Sequence, residues 1–332
     1  MLPSLNYRMD SKNTMTNNPV TRYIKDNIGI LIGFVLLCVI IAILNPNFLT
    51  TQNLLNVLRQ TSTNLYIAIA MTMIIIIGGI DLSVGSIIAV SGVVTTSLIA
   101  FEGTPVWLAV IIGLLVGMIF GFFNGFVVSN TWIPPFIVTL ATMNIARGIA
   151  YVYTDGKPVR VVSDSFNYIG SGYIGGVLPT PVLYLIVILV ISAVIMNKTK
   201  LGRYMYAVGG NIQAARFSGI NIKKVQLFVY TFSGLMAGFA GIVLSSRMFS
   251  GQPTAGMGAE LDAIAAVVLG GTSFAGGSGR IGGTVIGALI IGVLSNGLNL
   301  LGVNSFWQYI VKGFVILIAV YADEIKKRKK ES

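Results

Sequence analysis

Apolar residues run along this chain in blocks long enough to cross a bilayer, separated by short polar segments. A membrane-crossing helix needs about 20 largely apolar residues. Ten blocks approach that length: 28–44, 54–77, 82–101, 106–129, 135–153, 178–196, 225–246, 261–276, 281–301 and 306–322. The pattern predicts an all-α integral membrane protein with about ten transmembrane helices. Two blocks are weaker than the rest. The second carries Arg59 and Gln60 near its start, and 261–276 is short and ends in glycines. Residues 1–27 are polar and lack a steady period, so they read as an N-terminal tail with at most a short surface helix. The first block has the basic flank of a signal peptide, but Leu44-Asn45-Pro46 follows it instead of a small-x-small cleavage pattern. It therefore reads as an uncleaved anchor.

Composition strengthens this reading. Of 332 residues, 55% are hydrophobic and 10% charged, whereas a soluble domain carries roughly a quarter charged residues. Such a chain needs lipid as part of its solvent. The net charge of +11 sits in the polar segments rather than in a basic groove with interleaved aromatics, so nucleic acid is not an expected partner. Arg8, Lys12, Arg22 and Lys25 precede the first block. Lys198, Lys200, Arg203, Arg216, Lys223 and Lys224 fill the 197–224 loop, and Lys326, Lys327, Arg328, Lys329 and Lys330 the tail 323–332. With ten crossings these segments and Arg280 fall on one side, sixteen of the 22 basic residues. Only Lys157, Arg160 and Arg247 fall opposite. By the positive-inside rule both termini are then cytoplasmic. The order Asp81, Asn124-Gly125, Arg147 recurs as Asp262, Asn296-Gly297, Lys312 in blocks that enter from the opposite side, which is the pattern of an inverted repeat.

The chemistry the chain lacks is informative. There is no histidine, which excludes His-dependent triads, proton relays and metal sites. The single cysteine, Cys38, lies in an apolar block and reads as a packing residue. The nearest approach to an ATP-binding glycine loop, Gly277 to Thr284, has Gly283 where the phosphate-binding lysine belongs. No catalytic residue and no metal ligand is assigned.

Several polar groups lie inside apolar blocks. Asp81, in Gly78-Gly79-Ile80-Asp81-Leu82-Ser83, either caps the third helix or marks a broken helix lining a path. Arg59, Arg147 and Lys312 either snorkel to an interface or face a cavity. Asn64, Asn124, Asn144 and Asn296 offer donors and acceptors to a polar solute, or hydrogen-bond between helices. The candidate substrate path is thus Asn64, Asp81, Asn124, Asn144, Arg147 and Asn296. Gly113, Gly117, Gly121 and Gly125 share one helix face, as do Gly234 and Gly238, and read as packing seams. Trp107, Tyr151, Tyr153, Phe306 and Trp307 fit an interfacial belt better than a sugar-stacking role. The loop 197–224 is the longest cytoplasmic connection. In it, glycines bracket Asn211-Ile212-Gln213-Ala214-Ala215-Arg216-Phe217-Ser218. A solvated loop needs neither small central residues nor glycine brackets, so the segment reads as a docking element for a partner protein.

At this loop the chain resembles the membrane subunits of binding-protein-dependent ABC importers of the ribose, xylose and galactoside group. In that group a Glu often stands where Ile212 or Gln213 stands here. The resemblance covers nearly the whole chain after residue 25. Its sharpest stretches are Ile80-Asp81-Leu82-Ser83-Val84-Gly85-Ser86, Val152-Tyr153-Thr154-Asp155-Gly156, and the run from Glu260-Leu261-Asp262 to Thr272-Ser273. Gln252-Pro253-Thr254-Ala255-Gly256 and Asn296 to Val303 look most like the ribose permeases. The resemblance implies a permease domain at 28–322 in the bacterial inner membrane. It implies ATPase coupling through Gly210, Asn211, Ala214, Ala215, Arg216, Ser218 and Gly219. It also implies a second permease copy as a homodimer, an extracytoplasmic sugar-binding protein, and a partner ATPase that holds ATP and Mg while this chain binds no cofactor. The rival class is an ion-coupled secondary transporter, which needs midplane carboxylates, and only Asp81, Glu260 and Asp262 lie near.

Overall fold

The computed structural model describes the backbone of residues 19–331, with side chains from 28 to 321 apart from Ile316 and Ala319. Residues 1–18 of the expected tail, and Ser332, lie outside the described residues. In chain order the elements are α1 (Pro19–Leu44), a 3-10 turn (Pro46–Leu49), α2 (Thr51–Ile76), α3 (Val84–Ala100), α4 (Val106–Asn130) and α5 (Pro135–Thr154). An outlying segment follows, with β1 (Val159–Arg160), α6 (Asp164–Ser171), β2 (Tyr173–Ile174) and β3 (Leu178–Pro179). The second half holds α7 (Thr180–Lys198), α8 (Lys200–Gly210), α9 (Ile212–Phe217), α10 (Ile222–Arg247), β4 (Ser250–Gly251), α11 (Ala259–Leu269), α12 (Ile281–Leu300) and α13 (Ser305–Glu331). The basic residues at 326–330 lie in the last turns of α13.

Each of the ten apolar blocks coincides with a helix. Among the described residues α4, α5, α7, α10 and α12 are long and apolar enough to cross a bilayer, while α3 and the apolar part of α1 are shorter. The chain is a mostly helical, multi-pass membrane protein. The block 261–276 departs most from expectation. Its helix α11 has 11 residues, roughly 16 Å at 1.5 Å per residue, about half the hydrocarbon thickness. It stops where Gly271 turns left-handed (φ +81°), and the Thr272 amide closes the turn on the Val267 carbonyl at 3.2 Å. Residues 270–280 then form turns before α12 begins.

Two shells build the molecule. Inside, α2 is enclosed from Leu65 to Ile76 and packs on α7, α10, α11 and α12, while α3 packs on α4, α5 and α10. Outside, α1, α4, α5, α7 and α13 present large apolar side chains such as Ile43, Ile119, Val190 and Phe314, a surface that only lipid can solvate. The tightest seam lies between α4 and α10. A Cβ at Gly117 would stand 2.5 Å from the Gly234 carbonyl oxygen and 2.8 Å from Gly238 Cα, so glycine is required for that approach. β1 pairs antiparallel with β4, Val159 opposite Gly251, and ties the α5–α6 connection to the loop after α10.

Candidate functional site

The break between α2 and α3 is the first place where polar atoms gather in the core. Helix α2 ends because Gly78 takes φ +78°, and Gly79 N–H returns to the Ile74 carbonyl at 2.9 Å. The chain then brings Asp81 into a fully buried position. Its Oδ1 accepts from Ser83 N–H at 2.9 Å and Ser83 Oγ–H at 2.5 Å. Its Oδ2 accepts from Ser233 Oγ of α10 at 2.9 Å. Asn124 of α4 donates to Ser83 Oγ at 2.9 Å and accepts from Thr142 Oγ of α5 at 2.6 Å. One relay therefore joins α3, α4, α5 and α10. Asp81 does not cap α3 by itself. It forms an Asx-type turn that holds the broken segment against α10.

The remaining sequence candidates are placed separately. Arg147 of α5 is half-buried and donates from Nη1 to the Pro253 and Ala255 carbonyls, both at 2.7 Å. Its guanidinium, with Glu260 nearby, thus braces the loop between α10 and α11. Asn144 sits one turn away on the exposed face of α5, its Nδ2 bonded only to the Leu140 carbonyl at 3.0 Å. Asn296 of α12 exchanges amide bonds with Asn53 of α2 at 2.8 and 3.0 Å, an interhelical clamp remote from the Asp81 relay. Asn64 is half-buried on α2. None of the six lines the cavity between α11 and α13.

A different group does. Lys312 of α13 meets Asp262 of α11 at 2.8 Å, on the wall of a cavity of about 180 Å³ shared with Met257, Gly258, Ser305, Gln308 and Tyr309. Sequence reasoning paired Asp262 with Lys312 only as repeat positions. The signal it lacked was the shortness of α11, which exposes the outer end of that helix.

On the basic side of the molecule the 197–224 loop is two helices at an angle. Asn211 ends α8 and caps α9, its Oδ1 accepting from Gln213 and Ala214 amides at 3.0 and 2.9 Å. Gly219 (φ +77°) closes α9, and Ile220 N–H returns to the Ala215 carbonyl at 3.1 Å. Ala215 is buried against its own chain (3% exposed). The outward face of α9 carries Ile212, Gln213, Ala214, Arg216 and Phe217, the last 88% exposed. Ser218 and Gly219 lie exposed just beyond it. The pair Gly209-Gly210 has its own explanation. A side chain at Gly209 would strike the Ile76 carbonyl, and one at Gly277 would lie 2.9 Å from Gly210 Cα. Gly277 N–H bonds the Ile76 carbonyl at 2.8 Å, and Tyr206 Oη donates to the Gly279 carbonyl at 2.9 Å. Burial pushes the Tyr206 phenol up, against the opposing pull of Arg280, and so keeps it a donor. Helix α8 is thereby seated on the end of α2 and on the 270–280 turns.

Comparison with known proteins agrees with this architecture. The profile of a family described as branched-chain amino acid transport system, permease component, matches residues 53–320. The ribose import permease protein of Haemophilus influenzae is 45% identical over 323 residues, covering 96% of this chain and 99% of that protein. The ribose import permease protein of Bacillus subtilis is 48% identical over 305 residues, 91% and 94% of the two chains. The xylose transport system permease protein of Haemophilus influenzae is 37% identical, covering 85% and 91%. No solved structure matches the chain.

Proposed function

The chain belongs to the permease-component family that matches it over residues 53–320, and from that premise we propose that it carries ribose across the bacterial inner membrane. It is a transport component, not an enzyme. The carrying observation is identity: 45–48% to ribose permeases over at least nine-tenths of the chain, against 37% to a xylose permease. In this reading a separate ATPase binds ATP and Mg on the cytoplasmic face, and a sugar-binding protein delivers ribose from outside.

The molecule supports this division of labour. Helix α9 presents Ile212, Arg216 and Phe217 to the aqueous phase on the basic side, and a free phenyl there suits a groove on a partner. Its neighbour α8 bears on the end of α2 at Ile76, where the broken segment 77–83 begins, and on the 270–280 turns, so a push on α9 reaches the membrane interior. Packing is reciprocal between the halves: α2 lies on α11 and α12, while α10 lies on α3 and α4. That exchange fits the ten-crossing, inverted-repeat arrangement with both termini cytoplasmic. On α5, Asn144 breaks an exposed face otherwise formed by Leu140, Ile145 and Ile149. Its amide is costly against lipid and favourable along a watery path, which supports reading α5 as the lining of a path between two copies. Against ion coupling, Asp81 is held by its serines and Asp262 by Lys312.

The test is reconstitution with the ATPase and the binding protein. Ribose-loaded binding protein should raise ATP hydrolysis, the xylose-loaded form should do so less, and the purified chain alone should hydrolyse none. Equal stimulation by both sugars would overturn the ribose assignment.

A further inference from the structure

The ion pair between α11 and α13 does more than neutralise two intramembrane charges. Lys312 lies seven residues into α13, about 10 Å along its axis, where an unpaired cation is costly. A pair serving only neutrality would be packed over by apolar side chains. Here the two side chains stay 20% and 16% exposed and form one wall of the 180 Å³ cavity. Ser305, Gln308 and Tyr309 add polar groups and one aromatic ring, and Met257, Gly258, Leu261 and Gly313 complete the lining.

Hydrogen-bond inventory defines what the cavity can hold. Asp262 uses Oδ2 for Lys312 and keeps Oδ1 as an acceptor. Lys312 keeps two of its three N–H donors. Gln308 commits its Nε2 to Asn299 Oδ1 at 2.7 Å and the Val303 carbonyl at 3.2 Å, which leaves Oε1 to accept. Ser305 and Tyr309 add hydroxyls that serve either way. Donors and acceptors thus both line a space smaller than the about 300–1,000 Å³ of drug-sized ligand pockets, with one aromatic ring beside them. A polyhydroxylated ring of monosaccharide size matches each of these features.

We propose that this cavity, built from Asp262, Lys312, Ser305, Gln308 and Tyr309, is a sugar subsite on the permeation path. The inference rests on the permease reading above and adds to it the place where sugar pauses. Only Gly256 separates Met257 of its wall from the Ala255 carbonyl that Arg147 braces, so α5 holds the loop that forms one edge of the cavity. The site is also weak by construction. Asp262 and Lys312 satisfy each other when it is empty, so departing sugar leaves no buried charge unpaired. A transporter needs that property, because a tight site would retain its cargo.

The experiment uses the complete importer in vesicles, with Cys38→Ser and Met257→Cys in the permease. The rate at which a water-soluble, membrane-impermeant methanethiosulfonate added outside modifies position 257 is measured with ribose or with glycerol. Ribose should slow modification several-fold and glycerol should not. Gln308→Leu and Tyr309→Leu, made separately because Asp262 or Lys312 variants risk misfolding, should each remove the protection. Each should lower ribose uptake about three- to tenfold, the range one or two neutral hydrogen bonds supply, with membrane abundance unchanged. Modification by lipid-soluble maleimide alone would show that the cavity faces lipid and would overturn the proposal. So would unprotected modification together with wild-type uptake by both leucine variants, while the permease reading stood on the parent importer's own uptake. If the parent imports no sugar, the permease reading fails and the subsite falls with it.

Discussion

Replacing Phe217 with alanine tests the coupling surface at its large exposed aromatic side chain. Phe217 ends α9, and 88% of its surface is free. The backbone of α9 is fixed by the Asn211 cap at one end and the Gly219 closure at the other, so the phenyl contributes little to this chain's own stability. Its apolar surface acquires a role only when a partner covers it. Fully burying a phenylalanine is worth about 1.5–3 kcal/mol, and scaling by the exposed fraction leaves about 1.3–2.6 kcal/mol for docking. At 1.4 kcal/mol per tenfold, Phe217→Ala should weaken ATPase association about tenfold to eightyfold. Thermal stability in detergent should stay within a degree or two of the parent. Ala215→Trp makes the contrast. At 3% exposure it overfills this chain's own core, at about 1–3 kcal/mol, and should lower stability before any partner is added. Affinity is read by titrating the ATPase against the permease in nanodiscs and monitoring hydrolysis. Wild-type affinity for Phe217→Ala would refute the assignment of α9 as the docking element.

Three further outcomes follow from the geometry. Gly117→Val should force α4 away from α10, because a Cβ there meets the Gly234 carbonyl at 2.5 Å; lowered thermal stability and expression check this, and a neutral result would mean the seam is loose. Asp81→Leu should leave the Ser83 and Ser233 hydroxyls and the Ser83 amide without their acceptor, at about 1–3 kcal/mol per orphaned group, while Asp81→Asn keeps an acceptor and should cost less; equal losses in detergent melts would contradict the relay. Cysteine at Val162, which is fully exposed, should label from outside whole cells, whereas cysteine at Ser218 should label only in inverted vesicles; the reverse pattern would sink the ten-crossing topology.

The helices were legible because lipid demands contiguous apolar length, and that demand is written locally in blocks such as 106–129. Their ends were less legible. The stop after Leu269 was set by the left-handed Gly271 and by backbone packing at Gly270, where a Cβ would stand 2.4 Å from the Gly283 carbonyl carbon, neither of which hydropathy records. The coupling loop was recognisable by its glycine brackets, but the inward turn of Ala215 was not, since a helix of six residues is too short to show a period. The polar residues in apolar blocks were found individually. Their partners were not, because Asp81 meets Ser233 across 152 positions and Asn53 meets Asn296 across 243. Nothing local distinguishes a serine that satisfies a buried carboxylate from one that faces lipid. The cavity beside Lys312 was invisible for the same reason, being a property of how α11 and α13 meet.

The most direct measurement of the central claim is uptake of labelled ribose by proteoliposomes holding this permease with its ATPase facing the lumen and the binding protein added outside. With ATP trapped inside and no ion gradient, ribose should accumulate, and ionophores should not stop it. Accumulation driven by a proton or sodium gradient without ATP or the partner proteins would contradict the account.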